Sequence, residues 1–95
     1  MSSSRVQKSS TRPQMVDSLD LNELDDGMVV FAGTSDTVHH LNHTAAIVLQ
    51  LCDGTRDADQ IASVLQNLFH LVQPPLAETV ECLKALIVQG LITED

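Results

Sequence analysis

The change from strand to helix is decided within one stretch of the chain, residues 37–54, TVHHLNHTAAIVLQLCDG. Apolar residues there recur first at a spacing near two and then at one of about 3.6, the repeats of a strand and a helix. Residues 37–41 therefore predict a strand. Alternation along it gives two faces, with Thr37, His39 and Leu41 on one and Val38 and His40 on the other.

Two more strands are predicted before this one. Leu19 and Leu21 alternate with polar residues, and residues 28–32, MVVFA, form a short apolar run rich in strand-forming residues. The turn-forming sequences DDG, residues 25–27, and GTSD, residues 33–36, separate the three strands.

Three helices are predicted after residue 42. Asn42 is a favourable N-cap for the first, whose apolar stripe is Ala45, Val48, Leu49 and Cys52 and whose end is marked by Gly54. The second begins with the capping-box pattern of Asp57 and Gln60 and ends near Phe69. The third follows Pro74 and Pro75 and ends at Gly90, with Leu91 in the apolar position of a Schellman motif.

The order of these elements predicts a small α+β domain, winged-helix-like, with three N-terminal antiparallel strands followed by three helices. Residues 15–95 are assigned to this domain. Residues 1–14 are Ser-rich and basic, and we expect them to form a disordered tail because they have little apolar surface to bury.

The distribution of charge restricts the partners. Residues 15–95 contain two basic and thirteen acidic residues, a formal charge of −11. Nucleic-acid affinity comes largely from Lys and Arg contacts with phosphate, so such a surface predicts no nucleic-acid partner. A basic partner, or a polar one indifferent to charge, fits better.

The two cysteines and the hydropathy indicate the compartment. Cys52 and Cys82 lie in apolar helical patterns without a CxxC pair, which is typical of reduced, buried thiols in a cytosolic protein. No apolar run approaches the roughly 20 residues of a membrane span, and the first residues lack the apolar segment of a secretory signal. We expect a cytoplasmic protein without a membrane partner.

Residues 27–92 resemble the PqqD-like family, the peptide recognition elements of ribosomally made, modified peptides. Four segments carry the resemblance: LNHTAA at 41–46, LCDGT at 51–55, DADQIA at 57–62 and LKALIVQGLI at 83–92. Two departures are His39, where the family often has an aromatic residue, and a weaker match in the strands than in the helices.

The resemblance implies a non-catalytic domain that binds a precursor leader peptide and delivers it to a modifying enzyme of radical-SAM, cyclase or protease type. The leader would add as an antiparallel strand along the third strand and pack on the third helix. The implied peptide-binding residues are Thr37, Val38, His39, His40, Leu41, Thr79, Cys82, Leu83 and Leu86. No cofactor is implied, and a monomer or weak homodimer is expected.

The third helix could present either of two sides to such a peptide. Leu76, Val80, Leu83 and Ile87 cluster on one face and are predicted to point toward the core. Thr79, Cys82 and Leu86 lie on one flank of that face, and Lys84 and Val88 lie on the other. The first flank is favoured because its apolar residues are continuous, but the spacing leaves both open.

Other functions find less support in the sequence. His39, His40 and His43 are close in the chain, but they do not form a ligand set at zinc spacing. No GxSxG or P-loop motif is present, so no enzyme is predicted. The remaining alternatives are a winged-helix DNA-binding regulator, since the helices could form a helix-turn-helix, and an adaptor unrelated to peptide modification.

Overall fold

The computed structural model describes residues 12–32 and 37–94. Within these ranges the chain forms five strands and three helices. They are β1 (Gln14–Met15), β2 (Leu19–Leu24), β3 (Gly27–Ala32), β4 (Thr37–Asn42), α1 (His43–Leu51), α2 (Ala58–Phe69), α3 (Leu76–Val88) and β5 (Ile92–Thr93). The predicted α+β class is confirmed.

The three predicted strands form one antiparallel sheet in the order β2-β3-β4. β2 and β3 are joined by a two-residue turn, because Leu24 pairs with Gly27. Gly27 pairs with Asn42 at the far end of β4, and a Cβ atom on Gly27 would lie 2.0 Å from the carbonyl oxygen of Leu41. The close approach of β3 to β4 therefore requires glycine. The second predicted turn, at residues 33–36, lies outside the described residues.

A second, two-stranded sheet was not predicted. β1 pairs antiparallel with β5, with Gln14 opposite Thr93 and Met15 opposite Ile92. Pro13 is fully buried, and its carbonyl accepts a hydrogen bond of 3.0 Å from the N–H of Gly54. The prediction of a tail through residue 14 is thus wrong at its C-terminal end, because residues 12–14 are held by the domain. Residues 1–11 of that predicted tail lie outside the described residues.

The helix ends follow the local sequence signals. The Asn42 side chain accepts a hydrogen bond of 2.8 Å from the N–H of Ala45, and Asp57 and Gln60 form a reciprocal capping box. Gly90 has φ +77°, and the N–H of Leu91 donates to the carbonyl of Leu86, as in a Schellman motif. These three predictions are confirmed.

The core lies between the inner face of the three-stranded sheet and the helices. Its completely or almost completely buried side chains include Met28, Val30, Val48, Leu49, Cys52, Ile61, Leu65 and Leu91. α1 packs on β3 and β4, and α3 packs on α1 and α2. Within the described part of the chain, none of the helices has the length and apolar character needed to cross a membrane.

The predicted core face of α3 is wrong in part. Leu83 is buried, but Leu76 and Ile87 remain 41% and 38% exposed, whereas Thr79 and Leu86 are each 1% exposed. The buried face is therefore rotated by roughly 60° from the predicted one, at 100° per residue. Thr79 can be buried because its hydroxyl donates a hydrogen bond of 2.8 Å to the carbonyl of Pro75, which satisfies its polar group.

Candidate functional site

β4 provides a strand edge beside the helices. Among the described residues, the order β2-β3-β4 makes β4 an edge strand of the three-stranded sheet. Its last residue, Asn42, is also the N-cap of α1, so the edge runs directly into the start of a helix. An edge strand presents main-chain N–H and C=O groups with which an extended segment can pair.

The strand register shows which main-chain groups of β4 face outward. The pair Leu24 and Gly27 flanks a two-residue turn, so it must be a hydrogen-bonded pair, and bonding then alternates along both ladders. By this alternation β3 directs Met28, Val30 and Ala32 toward β4, where their partners are Leu41, His39 and Thr37. The N–H and C=O groups of Val38 and His40 consequently point to the outer edge.

The side chains of β4 separate into two faces as predicted. Leu41 is buried in the core and His39 is half-buried on the same side. Val38 is 55% exposed on the opposite face, beside His40, which is also exposed. Of these residues, Val38 and His40 offer both outward main-chain groups and accessible side chains.

On α3 the structure separates the predicted site residues. Thr79, Leu83 and Leu86 are buried, with 1%, 4% and 1% of their surfaces exposed. Leu83 and Leu86 belong to the core of the domain, and their assignment to a peptide site stays a prediction. Cys82 is half-buried and keeps an accessible surface.

The opposite flank of α3 faces solvent. Lys84 is exposed and Val88 is 86% exposed. Sequence spacing favoured the flank of Thr79, Cys82 and Leu86 because its apolar residues are continuous. They are continuous because Thr79 and Leu86 are buried in the core.

A pocket missed by sequence reasoning lies where the ends of the three helices meet. Its volume is about 260 Å³, and apolar side chains from α1, α2 and the α2–α3 turn form most of its wall. Its lining includes Thr44, Phe69, Leu71 and Glu78, with buried Thr79 on the α3 side. The available sequence signal is Leu71-Val72, two apolar residues between the end of α2 and the proline pair.

The two cysteines are protected thiols. Cys52 is 1% exposed and its thiol donates to the carbonyl of Val48 at 3.1 Å. Burial, followed by the proximity of Cys82, Asp53 and Glu94, raises the pKa of Cys52 to about 12. Burial also raises the pKa of Cys82. Both thiols therefore stay protonated and weakly nucleophilic near neutral pH.

The acidic residues between α1 and α2 have structural partners. Asp53 accepts hydrogen bonds from the N–H and the hydroxyl of Thr55 and lies 3.0 Å from Arg56. The Thr55 hydrogen bonds, together with Arg56, lower the pKa of Asp53. Asp57 caps α2. Asp53 therefore stabilises a turn, and Asp57 stabilises the helix start that its capping-box pattern predicted.

The histidines are not gathered at one point. His39 lies on the inner face of β4, His40 on the outer face, and His43 in the first turn of α1. Across residues 12–32 and 37–94, no group of three His, Cys, Asp or Glu side chains is placed to hold a metal ion. His43 instead packs edge-on against Phe69, with ring centroids 6.5 Å apart and planes at 71°.

These features define a small α+β domain with an accessible strand edge and an adjoining apolar pocket, a class suited to binding an extended segment. The family model described as Coenzyme PQQ synthesis protein D (PqqD) matches residues 27–92. This match covers more than half of the chain, and the chain belongs to the PqqD family. The resemblance seen in the sequence is confirmed. Comparison with curated proteins and with solved structures gave no match.

Membership associates the chain with peptide binding in the biosynthesis of PQQ and of modified ribosomal peptides. Proteins of this family act as non-catalytic accessory components beside modifying enzymes. The matched residues include β3, β4 and all three helices, so they contain both the strand edge and the pocket.

Proposed function

We propose that this domain binds the leader segment of a ribosomally made precursor peptide and presents it to the enzyme that modifies the peptide. The leader adds as an antiparallel strand to the outer edge of β4. The observation that carries this proposal is the position of β4 at the sheet edge, with Val38 and His40 directing main-chain groups outward.

Strand addition explains how an open sheet edge could hold a flexible peptide. Main-chain hydrogen bonds to β4 would supply affinity that depends little on sequence, and alternate side chains would supply specificity. The six residues of β4 match the length of an ordinary strand, so several ladder bonds are available.

The β4 edge is favoured over the β2 edge by what surrounds it. β4 packs on α1 and continues into its N-cap, and the pocket at the helix ends lies beyond that cap. The family resemblance implies the same strand.

The charge of the domain indicates the character of the leader. A formal charge of −11 over residues 15–95 favours a leader with Lys or Arg near its paired segment and disfavours an acidic one. The enzyme that receives the leader is expected, from the resemblance, to be a radical-SAM enzyme, a cyclase or a protease.

Calorimetric titration tests the proposal with the synthetic leader of the precursor encoded beside the gene for this chain. We expect a dissociation constant between nanomolar and low micromolar, or about −12 to −8 kcal/mol. Val38→Pro removes an outward N–H and should weaken binding at least tenfold. The absence of any heat of binding at a leader concentration of roughly 100 μM would refute leader binding, because even weak complexes associate at that concentration.

Two control variants locate the effect on β4. Val38→Ala keeps the N–H and should retain most of the affinity, since only a half-exposed side chain is shortened. Glu23→Pro places proline at an outward-facing position of β2 on the opposite edge and should leave affinity unchanged. Equal losses from Val38→Pro and Glu23→Pro would show general damage to the sheet rather than a site on β4.

A further inference from the structure

We propose that the pocket at the ends of the three helices receives one large apolar side chain of the bound peptide, flanked in the peptide by Lys or Arg. The anchoring residue lies N-terminal to the segment that pairs with β4. This inference rests on the proposed function, because it needs a peptide strand on β4 to direct the chain toward the pocket.

The size of the pocket suits a single side chain. At about 260 Å³ it falls below the roughly 300–1,000 Å³ of pockets that enclose small-molecule ligands. Val48, Leu65 and Phe69 contribute apolar wall, so burial of a Leu, Ile, Met or Phe side chain would be favourable.

The rim of the pocket is an apolar surface on the turn between α2 and α3. Leu68, Phe69 and Leu71 are 53%, 38% and 41% exposed. Val72 is 98% exposed and lies outside this surface, since it does not line the pocket. Apolar side chains clustered at the surface of a small domain are typical of an interaction site. Because Phe69 and Leu71 also line the pocket, the rim and the pocket form one continuous surface.

The pocket adjoins the end of β4 at which the peptide would enter. β4 ends at Asn42, and Thr44, two residues later, lines the pocket. His43 bridges the two features by packing edge-on against Phe69. In an antiparallel pair the N-terminal part of the peptide lies beside the C-terminal end of β4. Residues preceding the paired segment are thus carried past Asn42 to the mouth of the pocket.

The charge around the pocket indicates the flanking residue. Glu78, in the first turn of α3, is the one ionisable side chain among the described residues that line it. Glu78 is exposed and the domain is acidic as a whole, so a Lys or Arg beside the anchor would be attracted. An acidic flanking residue would be repelled.

A phage-displayed library of random 16-residue peptides tests the assignment without knowledge of the natural leader. We expect selected sequences to share a large apolar residue next to Lys or Arg, a few positions before an extended segment. Binding of a fluorescein-labelled selected peptide is then measured by anisotropy.

Matched variants on the α2–α3 turn separate the pocket from its surroundings. Leu71→Glu puts a carboxylate into the lining and should weaken binding at least tenfold, whereas Val72→Glu, at the 98% exposed neighbour, should change it less than twofold. Both positions are exposed, and unchanged melting confirms that each variant is folded. Replacing the peptide anchor by Ala should cost the same tenfold and add nothing in the Leu71→Glu variant.

The outcomes distinguish this inference from the proposed function. Binding that is weakened by Val38→Pro but equal for Leu71→Glu and Val72→Glu overturns the pocket assignment and leaves strand addition intact. Binding that is insensitive to Val38→Pro, or a library that yields no binder, overturns strand addition and the pocket assignment with it.

Discussion

Leu86 and Val88 are two residues apart on α3, yet 1% of Leu86 is exposed and 86% of Val88. Leu86→Asp should lower the free energy of unfolding by at least about 3 kcal/mol, since it removes a core side chain and buries a carboxylate. Val88→Asp should change it by no more than about 0.5 kcal/mol. Urea denaturation measures both, and similar stabilities would show that Leu86 is not in the core.

Cys52 should make the domain sensitive to alkali. Its thiol stays protonated to about pH 12 in the folded chain, whereas an unfolded cysteine ionises near pH 8.5. The contribution of Cys52 to the free energy of unfolding is therefore fully present below about pH 8.5 and is lost as pH rises toward 12. The reason is that the unfolded state binds fewer protons than the folded state over this range.

The measurement is the free energy of unfolding in urea with reductant between pH 7 and pH 10.5. The parent should lose more stability over this range than Cys52→Ala. The chain has no Tyr, which removes one competing alkaline titration. Cys82→Ala serves as the control for the second thiol, whose pKa is also raised. Parallel curves for the parent and Cys52→Ala would contradict the assignment.

At the scale of elements, the sequence predicted those helix ends and strands whose formation depends on residues close together in the chain. The cap at Asn42, the Asp57 and Gln60 box and the Gly90 ending each depend on residues within one or two turns of the helix. The strands β2 to β4 were likewise readable from alternation and turn residues.

Elements made by distant contacts could not be predicted in this way. β1 and β5 have two residues each, too few to show periodicity, and their partners are almost 80 positions apart, at Gln14 and Thr93. The buried face of α3 was misplaced because burial of Thr79 depends on its bond to Pro75 and not on hydropathy. The pocket combines residues of three helices, so no single segment signals it.

β1 should contribute measurably to stability even though it is short. Residues 12–16 supply hydrogen bonds from Met15 to Cys52 at 2.7 Å and from Val16 to Leu91 at 3.0 Å, and Pro13 accepts one from Gly54. A chain beginning at residue 17 should therefore be less stable by about 2 to 4 kcal/mol than one beginning at residue 12. Thermal and urea denaturation of the two chains measures the difference, and equal stability would show that β1 is dispensable.

At the scale of the whole molecule, the acidic charge and the placement of the few basic residues favour the peptide-binding hypothesis over the DNA-binding alternative. After residue 14 the basic residues are Arg56 and Lys84. Arg56 is 3.0 Å from Asp53, and Lys84 is 3.9 Å from Glu81, so each lies beside a carboxylate. Neither α2 nor α3 thus presents a basic face to a phosphate backbone.

A chain beginning at residue 12 should accordingly bind duplex DNA more weakly than about 100 μM, the weak end of ordinary non-specific affinity. The test is a mobility-shift assay on a random duplex at low salt, where phosphate contacts are strongest. Starting at residue 12 removes Arg5 and Lys8 while keeping β1, so the domain stays intact and its own charge is measured. The full chain, run alongside, reports what Arg5 and Lys8 add. A shift that survives the truncation and weakens with salt would require a basic surface that the three remaining basic residues, Arg12, Arg56 and Lys84, do not form. That result would favour the DNA-binding alternative over leader binding.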